Sequence, residues 1–214
     1  MKKNKAKFAL ATINLCVAFL SCSSDENSIQ NGQGAPLLDA RDDQTYSTVI
    51  INSQIWMAEN LNYVVDGSKC YEDSNSNCAQ YGRLYDWETA RNACPTGWHL
   101  PNEKEWTKLA VATGNGGYEA AKKLKSTSGW NNSNGTDDYG FSALPGGIFG
   151  ASWPGSNFSF LDIGNGGYWW SATDIEYAGD IVGMGMAMIS QYKDVITKMA
   201  FDKSYLLSIR CLKN

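Results

Sequence analysis

Histidine is nearly absent from this chain: His99 stands alone among 214 residues, and no two cysteines have the C-x-x-C spacing. That argues against a zinc site, which needs ligand pairs at close spacing and usually histidine help. Beside Trp98 and Leu100, the single imidazole reads as a hydrogen-bonded core residue rather than a catalyst. No G-x-S-x-G, P-loop, dinucleotide fingerprint or H-E-x-x-H is present, so several common catalytic and nucleotide-binding signatures are missing. After residue 21 no apolar run reaches the roughly 20 residues that a membrane-spanning helix requires. Basic side chains are also scarce once the first 21 residues are set aside: 14 remain against 22 acidic ones, a net −8. This balance argues against nucleic acid or an anionic membrane surface as a direct partner.

The N-terminus carries an address. Lys2, Lys3, Lys5 and Lys7 precede a mostly apolar run from Phe8 to Leu20, 13 residues broken by Thr12 and Asn14. It closes on Leu20-Ser21-Cys22, which resembles the processing site of a bacterial lipoprotein. Residues 1–21 are therefore expected to be a cleaved signal peptide and Cys22 the lipidated residue, anchoring an exported chain to the outer membrane. Asp25 and Glu26 resemble an acidic surface-export signal, and they also suit an ordinary polar linker. Residues 22–44, rich in Ser, Asn, Gln, Gly and Asp, are expected to be a flexible tether, because they hold too little apolar surface to offset ordering entropy. Residues 45–214 suit one domain with a real core.

With Cys22 lipidated and Cys16 lost in the leader, four cysteines remain, which allow three pairings. The favoured set is Cys70–Cys78, stapling the polar loop CYEDSNSNC, and Cys94–Cys211, tying a helix end to the last strand.

The densest signals lie between Tyr81 and Trp106, which hold three of the eight tryptophans. Asp86 is placed to cap a helix from Trp87 to about Cys94, with Trp87, Ala90 and Cys94 on its buried face, and Pro95-Thr96-Gly97 stops it. Trp98-His99-Leu100 should be extended before Pro101. Asn102 and Glu105 form a capping-box pattern for a second helix with Trp106 and Leu109 inward. A third helix with a lysine-rich outer face is expected from Tyr118 to Lys125. Thr48–Ile51 and Ile55–Met57 read as a hairpin, and further strands are expected near 168–171, 184–189, 195–201 and 207–212. From Ser126 to about Gly167 the regular pattern fades into a Gly-, Asn- and Ser-rich loop region that still carries aromatic residues.

Taken in order, TVIINSQIWMAENLNY, YGRLYDWETA, CPTGWHLPNEKEW, LKSTSGW, GFSALPGG, WWSAT and SIRCLKN resemble the Fibrobacter succinogenes major paralogous domain over nearly all of residues 46–214. The resemblance implies an α+β, C-type-lectin-like fold. In that fold two to three helices pack on small twisted antiparallel sheets with a long loop region, and a disulfide runs from the first helix to the last strand. Cys94–Cys211 would be that bond. It also implies secreted or lipid-anchored proteins. The calcium-holding triplets of sugar-binding lectins are missing: Leu144-Pro145-Gly146 and Trp170-Ser171-Ala172 stand nearest and lack carboxylates. No cofactor is expected. The weak candidates for calcium are Asn131, Asn134, Asp137 and Asp138, whose first reading is a solvated polar loop. HLPNEKEW also resembles a motif of formylglycine-generating enzymes, but no reactive cysteine or paired histidine accompanies it.

The remaining candidate is an aromatic surface of Trp130, Tyr139, Trp153, Phe158 and Phe160, suited to sugar C–H faces or to protein hot spots. Against it stands the reading that these rings build a second core beneath the loops. The expectation is a non-catalytic binding module whose partner is a glycan or a surface protein. The alternatives are a formylglycine-generating type of enzyme and a structural component of the cell surface.

Overall fold

The computed structural model describes residues 31–114, 119–153, 155–191 and 195–214. The leader, Cys22 and the first part of the expected tether lie outside the described residues, as does the expected start of the third helix at Tyr118.

Order begins well before residue 45. Gly32–Gln33 (β1) pairs with Thr48–Ile51 (β4), and Leu37–Asp39 (β2) pairs with Gln44–Tyr46 (β3). The tether expected over 22–44 is thus corrected for residues 31–44. Their polar composition hides two inward positions: Leu37 is buried, and Asp39 is buried under a two-pronged bond from Arg41 (Nε 2.8 Å, Nη2 2.6 Å). That guanidinium holds the Asp39 carboxyl below its ordinary range, as charge-assisted bonding does.

β4 turns through Asn52 and Ser53, both at positive φ, into Gln54–Met57 (β5). The polar segment between Cys70 and Cys78 is not a plain loop. It forms a 3₁₀ turn, Tyr71–Asp73, and a short helix, Asn75–Tyr81 (α1), which the sequence pattern did not signal. Trp87–Ala93 (α2) starts where expected: Asp86 accepts from Thr89 N at 2.9 Å. Trp98–His99 (β6) follows, and then Glu103–Thr113 (α3). Both arms of the Asn102/Glu105 capping box are present, at 3.1 and 2.8 Å, meeting two N–H groups that a helix start leaves open. Ala120–Leu124 (α4) is the third expected helix, shortened. Lys125 does not join its exposed face. It is buried, donates to Ile189 O at 2.9 Å and lies over the Trp130 ring.

Ile148–Ala151 (β7) and Phe158–Leu161 (β8) make an antiparallel hairpin inside the expected loop region. Gly166–Tyr177 (β9), Asp180–Ile189 (β10) and Thr197–Phe201 (β11) form a three-stranded sheet in the order β11-β10-β9. Leu212–Lys213 (β12) completes a five-stranded sheet in the order β1-β4-β5-β12-β6. The described part is α+β, with four α-helices against small antiparallel sheets.

Trp169 and Trp170 are neighbours on β9, so they point to opposite faces and enter different cores. Trp170 packs with Tyr85, Trp87, Phe201 and Ile209, and Trp169 with Trp56, Trp106, Phe141 and Trp130. A third cluster, Tyr71, Leu84 and Leu206, lies beneath the β7–β8 hairpin with Phe149 and Phe160 against it.

Arg210 is fully buried. Its Nε donates to Asn60 Oδ1 at 2.9 Å, Nη2 to Ser142 O at 2.7 Å and Nη1 to Phe141 O. Burial lowers its pKa to about 9, and at neutral pH it remains a cation satisfied by oxygen dipoles. Arg210→Met would take the donor from the Phe141 and Ser142 carbonyl oxygens, each costing about 1–3 kcal/mol, while Asn60 Oδ1 keeps the Trp169 indole N–H. We expect at least about 2 kcal/mol of lost stability in urea unfolding.

The cysteines pair as Cys70–Cys78 and Cys94–Cys211. Their sequence separations are 8 and 117, and loop-closure entropy then ranks them at about 2.5 and about 5 kcal/mol. Replacing Cys94 and Cys211 with Ala should lower the urea midpoint clearly more than replacing Cys70 and Cys78. Equal midpoints would count against that ranking.

Candidate functional site

The β7–β8 hairpin is built to present aromatic rings. Side chains alternate along a strand. Phe158 and Phe160 therefore share one face of β8, and both meet Phe149 of β7, with ring centroids 5.7 and 4.8 Å away. Phe160 also packs on Tyr71, at 5.0 Å, and Phe158 on Tyr205, at 5.1 Å. Gly150 leaves the space that Tyr205 fills: a Cβ there would lie 2.5 Å from the ring. The Tyr205 hydroxyl then donates to Ala151 O at 3.1 Å and fixes the ring against the hairpin.

At the tip the chain turns from Trp153 to Ser156, whose N–H donates to Trp153 O at 3.0 Å. Trp153 is 67% exposed and Phe158 40%. Together with Ser152, Ser156, Asp202 and Tyr205 they line a groove of about 550 Å³. Asp202 lies at its polar edge. The Ser204 hydroxyl (2.6 Å) and backbone N–H (2.8 Å) bond its carboxylate, and those two bonds hold its pKa below the ordinary value. The arrangement offers an exposed indole face, an edge of a second ring, and a charged acceptor beside two hydroxyls.

The five expected aromatic residues separate. Trp153, Phe158 and Phe160 come together, with Phe160 as floor rather than contact surface. Trp130 is corrected: it is only 4% exposed. Its indole N–H reaches Ser126 Oγ and Ala143 O at 3.2 and 3.1 Å, so it belongs to the core and cannot meet a ligand. Tyr139 is half-buried against the same core and directs its hydroxyl to Ala112 O, so it stands apart from the groove. Tyr205, Asp202 and Phe149 were not anticipated. The alternating Phe158-Ser-Phe160 pattern carried a strand signal for the hairpin, but nothing local joined it to residues more than 40 positions later.

Two of the four loop residues considered for calcium, Asn134 and Asp137, have their side-chain oxygens engaged within the loop. Asn134 Oδ1 accepts from Trp130 N, both Asp137 oxygens accept from Ser142, and Asn131 Nδ2 donates to Asn165 Oδ1. No group of three or more His, Cys, Asp or Glu side chains is placed to hold a metal among the described residues. His99 is clamped between Asn214 Oδ1 (2.6 Å) and Glu105 Oε1 (3.0 Å), which ties the capping box to the C-terminus.

The model of the Fibrobacter succinogenes major domain matches residues 49–213. The chain belongs to that family. No curated protein and no solved structure matches it. In this Fibrobacter succinogenes major domain the matched span holds both disulfides, the hairpin groove and both large cores except for Leu37 and Tyr46.

Exposure should separate two tryptophans that look alike in sequence. Trp130→Ala is expected to cost about 3–5 kcal/mol, as a fully packed aromatic does. Trp153→Ala should stay within about 0.5 kcal/mol of the parent. Thermal and urea unfolding of the two variants checks this.

Proposed function

We propose that the chain is an exported lipoprotein, anchored to the outer membrane through Cys22, whose single domain is a non-catalytic C-type-lectin-like binding module for a glycan. The observation that carries the binding role is Trp153. It is a large ring left in water at a hairpin tip, lining one groove with Phe158 and Tyr205. The core does not need it there, and exposed aromatic patches of this kind mark interaction sites. An indole face suits the C–H face of a sugar ring, while Asp202, Ser152 and Ser156 can bond its hydroxyls.

Other features support the remaining parts of the reading. The anchor rests on the leader and Cys22. The lectin-like fold draws on the Cys94–Cys211 bond from the end of α2 to the segment that enters the last strand. The non-catalytic role draws on His99 and the four domain cysteines, all held in structural bonds. An enzyme of the formylglycine-generating type would need a free reactive thiol there.

A glycan-array and cell-wall-polysaccharide screen of the full-length chain tests the proposal. Binding should fall at least about tenfold in Trp153→Ala, a loss of the size expected for a stacking anchor, and chelator should not affect it. It should also stay level between about pH 5 and about pH 8: a carboxyl with a lowered pKa is already ionised throughout that window and loses its charge only as pH falls below the ordinary carboxylate range. Silence from folded protein that captures a surface protein through Trp153 would overturn the glycan reading in favour of a protein partner.

A further inference from the structure

A second concavity lies at the other end of β8. It has a volume of about 620 Å³ and is lined by the polar residues Asn132, Asp162, Asn165, Tyr168, Ser190 and Gln191. Three separate segments meet there and bond to one another. Asn131 N donates to Gly164 O at 2.8 Å, Asn132 N to Ser190 Oγ at 3.1 Å, and Ser190 N to Asn165 O at 2.7 Å. Gly164, at φ +78°, lies so close to Asn131 that a Cβ would fall 2.8 Å from its amide nitrogen. The walls are therefore fixed by the protein's own bonds, which is the pre-organisation that lowers the cost of binding.

The chemistry of the walls is specific. The Tyr168 hydroxyl donates to Asp162 Oδ2 at 2.7 Å. Burial, and then this carboxylate, push the phenol's pKa up, so it stays a proton donor at any physiological pH. Among the described residues, Asp162 Oδ1 and the side-chain amides of Asn132 and Gln191 have no bonded partner. Asn165 keeps its Nδ2 donor, and Ser190 keeps its hydroxyl proton. The set offers donors and acceptors together, with one carboxylate and no lysine or arginine among the described lining residues.

Three ligand classes fit poorly. An anion would meet Asp162 with no lysine or arginine among the described lining residues to compensate it. An apolar ligand would leave several polar groups unpaired, at about 1–3 kcal/mol each. Calcium needs about six to eight oxygens and would find one carboxylate. Neutral vicinal hydroxyls match, because each can donate and accept at once, and the volume lies within the range of small-ligand sites. We infer that this crevice is a metal-independent subsite for one neutral saccharide residue, read through Asp162, Asn132, Asn165 and Gln191. It is separate from the aromatic groove, since four residues of β8 at about 3.3 Å each put Asp162 about 13 Å from Phe158, and it does not depend on Trp153.

Saturation-transfer NMR of the full-length chain with neutral hexoses, 6-deoxyhexoses, pentoses and N-acetylhexosamines tests the assignment, with glucuronate as the charged control. At least one neutral sugar should give signal that survives chelator and survives Trp153→Ala. The same signal should weaken at least about tenfold in the double variant Asn132→Ala/Gln191→Ala, which removes only exposed side chains. A complete lack of signal from every neutral sugar would overturn the inference, as would signal unchanged in the double variant or stronger binding of glucuronate. Failure here with Trp153-dependent polysaccharide binding intact would leave the aromatic groove as the site.

Discussion

One buried cation organises this domain. Arg210 brings a full charge into a core packed with aromatic rings, with its guanidinium 4.3 Å from the centre of Phe141 and 5.9 Å from that of Trp169. Such a charge is tolerated only if its donors are met. The acceptors come from Asn60, 150 residues earlier, and from the backbone at Phe141 and Ser142. Satisfying one side chain therefore fixes where the loop after β5 and the long loop after α4 must lie. The residues on either side extend the effect. Ile209 O receives Leu61 N, Ser208 bonds across to Trp170 and Tyr168, and Leu206 exchanges backbone bonds with Phe149. Cys211 closes onto the end of α2. The last stretch of chain acts as a spine to which the site-bearing hairpin is attached.

Six of the eight tryptophans are buried, in two arrangements. Trp87, Trp130, Trp169 and Trp170 are buried, and each indole N–H finds an oxygen: Ser171 O, Ser126 Oγ with Ala143 O, Asn60 Oδ1 and Tyr85 O. Trp56 and Trp106 instead pack on each other at 4.8 Å, and their N–H groups have no partner among the described residues. Trp153 shares neither arrangement and is left in solvent. An exposed indole on a braced hairpin loses little conformational freedom when a ligand stacks on it, which makes it a better recognition element than a ring on a loose loop.

Legibility in the sequence followed the range of the deciding contact. The Asp86 cap and the Asn102/Glu105 box are decided within three residues, and both were readable. The helix-to-last-strand disulfide was readable from cysteine number and the order of motifs. Lys125 was not: its burial depends on Ile189 O, 64 residues away, while helical spacing alone placed it with exposed lysines. Trp130 failed for a similar reason, because Ala143 and Ser126 close around it only once the long loop is folded. Residues 31–44 looked like a tether because composition counts polar residues, whereas two inward positions and one arginine–aspartate fork suffice to order a hairpin. In the candidate site the exposed tip was legible as aromatic excess, but its partner Tyr205 was not, since Gly150 makes room for it only across the fold.

The smaller disulfide has a role that its loop length understates. Arg83 Nη1 lies 3.5 Å from both Cys70 and Cys78 sulfurs, while its other nitrogens hold Ser68 Oγ and Ser68 O. The 3₁₀ turn that begins directly after Cys70 carries Tyr71, and that ring supports Phe160 from below. Phe160 in turn supports Phe149, and Phe149 supports Phe158 at the edge of the groove. The short staple therefore fixes the lowest ring of a stack whose top is the proposed recognition surface. Loop-closure entropy gives the long-range disulfide the larger share of stability, whereas the position of the proposed recognition surface depends on the bond that contributes less to folding.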